Sequence, residues 1–439
     1  MASQLHVGAA VRNITPGLGV HMQGYFEDRP ATDIHDDLYA KAIVVQNDAV
    51  AMAFVVCDLI GCYGRDLDVA RARASELTGI PGDRILISCT HTHYGPNTLQ
   101  LAHLPHEAEY TAWAMQRIGE AVKLAQNRLA PARLGYASGS CPEEVHNRRW
   151  WMKDGSVRMC PGYLHPDRVK PAGPADPEVG IAVFVRQDDE RPIGALCNYP
   201  LHYVGTPAGT VLSANYFGAF CRALERLAGQ PFVAVMANGC CGNINNVDIT
   251  RPAPPMPEPF YQVERVANVV AARAYAAWQQ IRAYDPAPTL SCVRDAVPFE
   301  RRQYSAADEA KARVDLERRG AMPLVEWAYA LETVKIAELP VSRPVPVSAW
   351  RLGDLGLVGL PGEMFVEYGL QIKAGSPFAQ TMVVELADDF LGYCPTDAAL
   401  QEGGYETRLC RWAMAAAGTE GRMVSAGARL LTQLHTAGA

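Results

Sequence analysis

Short apolar runs rich in β-branched residues alternate with longer stretches of helical period along most of the chain. Ala40 to Val45 and Val50 to Val56 are two such runs joined by a turn, which predicts a hairpin. Leu67 to Leu77 has helical spacing and stops at Gly79-Ile80-Pro81. Ile85 to Ser88 predicts a buried strand, and His106 to Leu129 a long amphipathic helix. A second hairpin is expected over Gly180 to Val185 and Ile193 to Cys197. A helix over Gly218 to Ala228, a strand over Phe232 to Met236 and a helix over Tyr261 to Ile281 follow. The proline-rich stretch 250–260 cannot sit in a sheet and is expected to arch over the surface. Ser305 to Ile336 predicts a helical pair broken near Gly320. Val345 to Leu352 and Leu357 to Leu360 predict a third hairpin, and Thr419 to Leu434 the last helix. The alternation defines an α/β fold, and without a repeat or a linker it reads as one unit over 1–439.

Composition narrows the class. Hydrophobic residues make up 49% of the 439, enough to bury a large core. A net charge of −7 argues against general nucleic-acid binding, which needs a basic face. No apolar run approaches the roughly 20 residues that span a bilayer. The first residues, Met1 to Val7, lack the basic and apolar regions of a secretory signal. Twelve cysteines without a CxxC motif point to free thiols and a reducing cytoplasm.

The chemistry gathers where strands end, as α/β folds favour. The strand before Thr90 runs into His91-Thr92-His93 and then a Gly-Pro turn. In extended geometry His91 and His93 would face one cavity, suiting two metal ligands or one ligand and one acid/base. His202 follows another strand and a proline. Glu363 follows Pro361-Gly362 and is expected to open a helix, whose dipole would hold its carboxylate ionised. The loop Ala237 to Asn246 offers small residues and amides, with N–H groups free to meet a substrate. Tyr393 and Tyr405 stand near glycine turns as donors or ligands. Trp150-Trp151 beside Arg148 suggests a flat or sugar-like ligand.

In this order along the chain, these pieces resemble the catalytic domain of the neutral/alkaline (non-lysosomal) ceramidases. The resemblance runs from Val7-Gly8-Ala9-Ala10-Val11-Arg12-Asn13-Ile14-Thr15-Pro16 and Gly24-Tyr25 through Ile34 to Ala42. It continues through Thr90-His91-Thr92-His93-Tyr94-Gly95-Pro96, Asn147-Arg148-Arg149, His202, Leu360-Pro361-Gly362-Glu363, Gly392-Tyr393 and Tyr405-Glu406. It implies two central mixed β-sheets flanked by α-helices. It also implies Zn²⁺ ligands at His91, His202, Glu363 and Tyr393, with His93, Arg148 and Tyr405 around the scissile carbonyl. Asn147, Trp150, Gly239, Cys241, Asn243 and Asn245 are the expected substrate contacts.

Two departures stand out. Family members carry a Gly-Asp-Val-Ser-Pro-Asn loop with a proposed serine nucleophile; here Gly242-Asn243-Ile244-Asn245-Asn246 puts Asn245 at that place. They also add a C-terminal immunoglobulin-like domain, which is not expected here. The reading is a bacterial-type zinc hydrolase cleaving an N-acyl amide by attack of a metal-bound water. The substrate is a small or lipid-like molecule, and homo-oligomer formation is left open. The alternatives are an ester, lactone or glycosidic bond at the same site, a Cys240 or Cys241 nucleophile, and an inactive metal-binding relative.

Overall fold

A computed structural model describes residues 3–204 and 209–437. Two mixed sheets dominate. The larger has eight strands, in spatial order Val233–Asn238, Pro192–Tyr199, Glu178–Arg186, Ala130–Ser140, His6–Asn13, Tyr39–Gln46, Ala51–Cys57 and Ile85–Cys89. The smaller has four: Leu290–Glu300, Ser342–Leu352, Leu355–Gly359 and Gln380–Val384. Their inner faces share one apolar cluster, in which Phe54 and Leu196 of the larger sheet meet Trp350, Leu352 and Met382 of the smaller. Buried on both faces, the central strands read as continuous apolar runs rather than alternating ones.

Helices cover the outer faces. Gly64–Thr78 and Ala108–Gln126 close one half of the larger sheet, and Asn215–Ala228 and Tyr261–Trp278 the other. Val366–Ala374 and Thr419–Thr436 cover the smaller sheet. The first of these helices ends at Gly79, whose φ of 73° suits a residue without Cβ. The expected architecture of two sheets flanked by helices is therefore present.

The hairpins and helices expected from the pattern form with small shifts of boundary. Residues 251–259 are exposed, as the proline content requires. Three long strands lack a sequence signature: His6–Asn13, Ala130–Ser140 and Leu290–Glu300. In Ala130–Ser140 the reason is packing. A Cβ on Gly139 would stand 3.0 Å from the Arg273 carbonyl, so small residues let the helix lie close on the sheet. Glu363 does not open a helix. It lies in a two-residue parallel bridge, paired with Tyr393, and the helix begins only at Val366.

Parallel pairing sets up the site. Pro192–Tyr199 runs parallel to Val233–Asn238, Ala51–Cys57 to Ile85–Cys89, and Leu355–Gly359 to Gln380–Val384. The carboxyl ends of these strands deliver the segments carrying Ile60, His91, His202, Gly239–Asn245, Glu363 and Glu385. No helix among the described residues is long and apolar enough to cross a membrane.

Candidate metal centre

At the end of Ile85–Cys89 the chain reverses. Thr90 N–H donates to the Cys57 carbonyl at 2.9 Å and His91 N–H to the Leu59 carbonyl at 3.0 Å. His91 takes a left-handed φ of 71°, which costs energy for a residue with a Cβ and is typical of functional positions. His91 and His93 thus share a cavity because the backbone turns, not because alternate residues of a strand share a face. His91 Nδ1 lies 2.8 Å from the Ile60 carbonyl, to which it donates. The Nε2 lone pair then points at Glu363 Oε2, 3.2 Å away.

His202 joins from the second strand end, with Nε2 3.0 Å from His93 Nε2. The three ring centroids lie 4.5, 4.9 and 5.0 Å apart. His93 packs on Gly24 and is hydrogen-bonded to its backbone. With φ at 114°, Gly24 has no room for a side chain: a Cβ would lie 2.7 Å from the His93 ring.

Burial pushes His93 and His202 well below the usual imidazole range, helped by the other histidines and Arg148. Both are therefore neutral; with Nδ1 accepting from Arg148, the His202 proton sits on Nε2 and is donated to His93 Nε2. Burial also opposes the charged form of His91, but the Glu363 carboxylate and Ile60 carbonyl outweigh it and carry its pKa upward.

His91, His93 and His202 form a group that could hold a metal ion. Glu363 adds a buried carboxylate, whose Oε2 lies 3.2 Å from His91 Nε2. A buried carboxylate beside an imidazole is stabilised by a shared cation, a proton or a metal ion. The ligand atoms of the three histidines lie within 4.8 Å of one another. Imidazole nitrogens beside a carboxylate are donors that a metal ion accepts. His93, expected beside the carbonyl rather than on the metal, belongs geometrically to the same group.

Arg148 is placed differently from expectation. Its Nε donates to Glu406 Oε1 at 2.8 Å, Nη1 to His202 Nδ1 at 3.1 Å and Nη2 to the Gly242 carbonyl at 2.8 Å. These three bonds tie the guanidinium to the His202 ring, to Glu406 and to the 239–245 loop. Arg149 binds the other Glu406 oxygen at 3.1 Å and Glu402 at 3.1 Å. Tyr393 and Tyr405 meet edge to face, 5.8 Å between centroids, and both line the cavity in front of His91. Burial raises both phenols, so they are protonated donors here.

The 239–245 loop is not an open cradle. Gly239 N–H donates to Tyr199, Gly242 N–H to Met364, and Cys241 N–H to Glu385. Gly242 lies so close to the bridge that a Cβ would come within 2.4 Å of the Glu363 carbonyl oxygen. The loop presses Glu363 into place. Asn243 bonds the Val366 N–H and Glu367, and Asn245 bonds Cys160 and the Val247 N–H. Asn147 binds Pro174 and the Arg149 N–H, while Trp150 packs with Met152 and Ile249. None of Asn147, Trp150, Gly239, Cys241, Asn243 and Asn245 lines the cavity. Their hydrogen bonds are made within the fold.

Cys241 Sγ donates to Glu385 Oε1 at 2.9 Å, and burial followed by Glu385 pushes the thiol far up. A thiol held protonated is a poor nucleophile. Cys240 is likewise buried and raised. Cys241→Ser, which keeps a donor to Glu385, is expected to retain kcat/KM within about threefold. A loss beyond a hundredfold would restore the thiol reading. Glu385 itself carried no sequence signal. It is fully buried next to the centre, its carboxyl pushed up to about 8 by desolvation.

The cavity holds about 280 Å³. Its polar end is His91, His93 and Glu363; Phe26, Leu99, Leu101, Leu104, Phe390 and Trp412 supply apolar walls.

This fold is that of the neutral ceramidases. The crystal structure of neutral ceramidase from Pseudomonas aeruginosa superposes with a TM-score of 0.74 at 18% identity, covering 99% of this chain and 75% of that one. A ceramidase complexed with C2 gives 0.76 at 17% identity, over 99% and 76%. In sequence, the Pseudomonas aeruginosa neutral ceramidase is 25% identical over 272 residues, 58% of this chain. That match spans 39% of the relative's length. No family model matches the chain.

Proposed function

We propose that this chain is a zinc-dependent amide hydrolase that lays an apolar acyl chain along the cavity walls. The observation that carries this reading is the convergence of His91, His93 and His202 beside the buried Glu363 carboxylate, with His91, His93 and Glu363 lining a largely apolar cavity. The likeness to a neutral ceramidase supports the amide as the bond and a lipid-like molecule as the substrate.

His91, His202 and Glu363 would hold the zinc, with Tyr393 beside them. Zinc, when bound, supplies a Lewis acid that acidifies water and polarises a carbonyl. The remaining work falls to the chain. His93, neutral through burial, takes a proton at Nε2 and returns it to the leaving nitrogen. Tyr405, protonated through burial, donates to the carbonyl oxygen as charge builds there. Arg148 fixes the His202 ring. Asn245 supplies no nucleophile where the family keeps its serine, so water is the attacking group. Ligands drawn from residues 91 to 393 support one catalytic unit, and twelve free thiols support a reducing compartment.

A panel of amides, esters, lactones and glycosides of matched shape tests this, with and without chelator. Chelator-sensitive amide turnover is expected; turnover of glycosides alone would sink it. Across a series of N-acyl lengths, kcat/KM should rise about fourfold per methylene, from about 0.8 kcal/mol each, until the cavity is full. A flat series would remove the acyl chain from the cavity.

A further inference from the structure

We propose that a second cavity, beside the catalytic one, binds a phosphate monoester through Arg301, Arg343 and Arg65. It holds about 550 Å³, against about 280 Å³ for the catalytic cavity. Six arginines and three aspartates line it. Phe390 lines both cavities, so the two are neighbours across one side chain.

The aspartates do not balance the arginines. Asp388 is shared between Arg71, at 2.8 Å, and Arg294. Asp68 also pairs with Arg71, and Asp389 with Arg343 at 2.6 Å. Arg411 is held by Glu332, outside the lining. Arg301 is buried, yet its guanidinium donates only to main-chain carbonyls, those of Leu339, Pro340 and Arg302. Burial pulls its pKa down, and the attraction of Glu309 does not restore it. Arginines are seldom buried without a counter-charge, and a bound anion would supply one here.

Sheet pairing places a second cation beside it. Phe299 pairs with Arg343, and one step further the Arg301 N–H donates to the Val341 carbonyl at 2.9 Å. Residues opposite and diagonal across an antiparallel pair share a face, diagonal ones about 7–8 Å apart. Arg301, Phe299 and Arg343 therefore stand together, and all three line the cavity. Two like charges so placed repel, and an anion between them turns repulsion into attraction. Among the described residues Asp389 takes only Nη1 of Arg343, which leaves Nε and Nη2 to donate. Arg65 is exposed, with its nearest carboxylate, Asp66, 3.9 Å away.

The donors define the ligand. Guanidinium forks meet phosphate oxygens two bonds at a time. A phosphate monoester carries about −1.5 to −2 charges at neutral pH, which a single carboxylate does not match. Phe299, Leu339, Phe390 and Met414 line the same cavity and offer an apolar wall to the organic part of the ester. Neither the metal nor the scissile bond enters this inference, so phosphate binding and amide turnover stand or fall separately.

Calorimetry on the intact protein with phenyl phosphate and benzoate tests it. Phenyl phosphate should bind saturably and at least tenfold more tightly than benzoate. Arg301→Gln and Arg343→Gln should each weaken it at least tenfold. His91→Asn, which alters the catalytic cavity, should bind it as the parent does. Absence of saturable binding overturns the proposal, as does equal binding of benzoate. Loss of binding in His91→Asn, with the arginine variants unchanged, would assign the phosphate to the catalytic cavity and overturn it too. If Arg301→Gln does not fold, unchanged affinity in both Arg343→Gln and Arg65→Gln, whose side chains are more exposed, overturns it.

Discussion

Replacing His91 with asparagine is expected to strip bound metal from the protein and lower amide hydrolysis by about 10³-fold or more. His91 is the donor most completely prepared. Its Nδ1 is bonded to Ile60, its Nε2 faces Glu363, and both groups are buried. Asparagine is preferred to alanine because it tolerates the left-handed backbone at this position. The variant should therefore fold, and its defect should lie in the site. Elemental analysis of the purified protein and kcat/KM on the best amide decide the matter together. Full metal content with full activity would falsify the assignment. His93→Ala separates two roles: metal retained with activity lost marks a proton carrier, and loss of both marks a ligand.

Glu406→Ala is expected to cost about 3–5 kcal/mol of stability, because it leaves buried arginine charge uncompensated. Glu406 is fully buried between Arg148 and Arg149, giving one carboxylate oxygen to each. Arg149 keeps Glu402 as a second partner; Arg148 has no other carboxylate among its ion pairs. The freed Arg148 would lose its hold on His202, so activity should fall along with stability. Denaturant unfolding followed by fluorescence measures the first. A midpoint within error of the parent would show that the arginines find water or new partners.

The strands and helices with strong periodicity were legible in the chain, and so were His91, His93, His202 and Glu363, because each follows a run that reads as a strand. How they meet was not. The turn at His91 and the bridge from Glu363 to Tyr393 depend on contacts with segments far away in sequence. Glycines and amides at 239–245 look like free donors until their N–H groups are found bonded to Tyr199, Met364 and Glu385. Arg148 looks like a substrate clamp until Glu406, 258 residues on, occupies it. Glu385 carries no local signature, since its importance comes from what surrounds it after folding.

The three parallel strand pairs have a kinetic consequence. Each contributes its carboxyl end to the same point, and one pair belongs to the smaller sheet. His91 and His202 can gather once the larger sheet forms, but Glu363 arrives only when the smaller sheet docks on it through Phe54 and Trp350. Because those contacts join residues hundreds apart, they close late in folding. A cation that needs Glu363 would bind only the docked state, so its affinity would add to the free energy holding the sheets together.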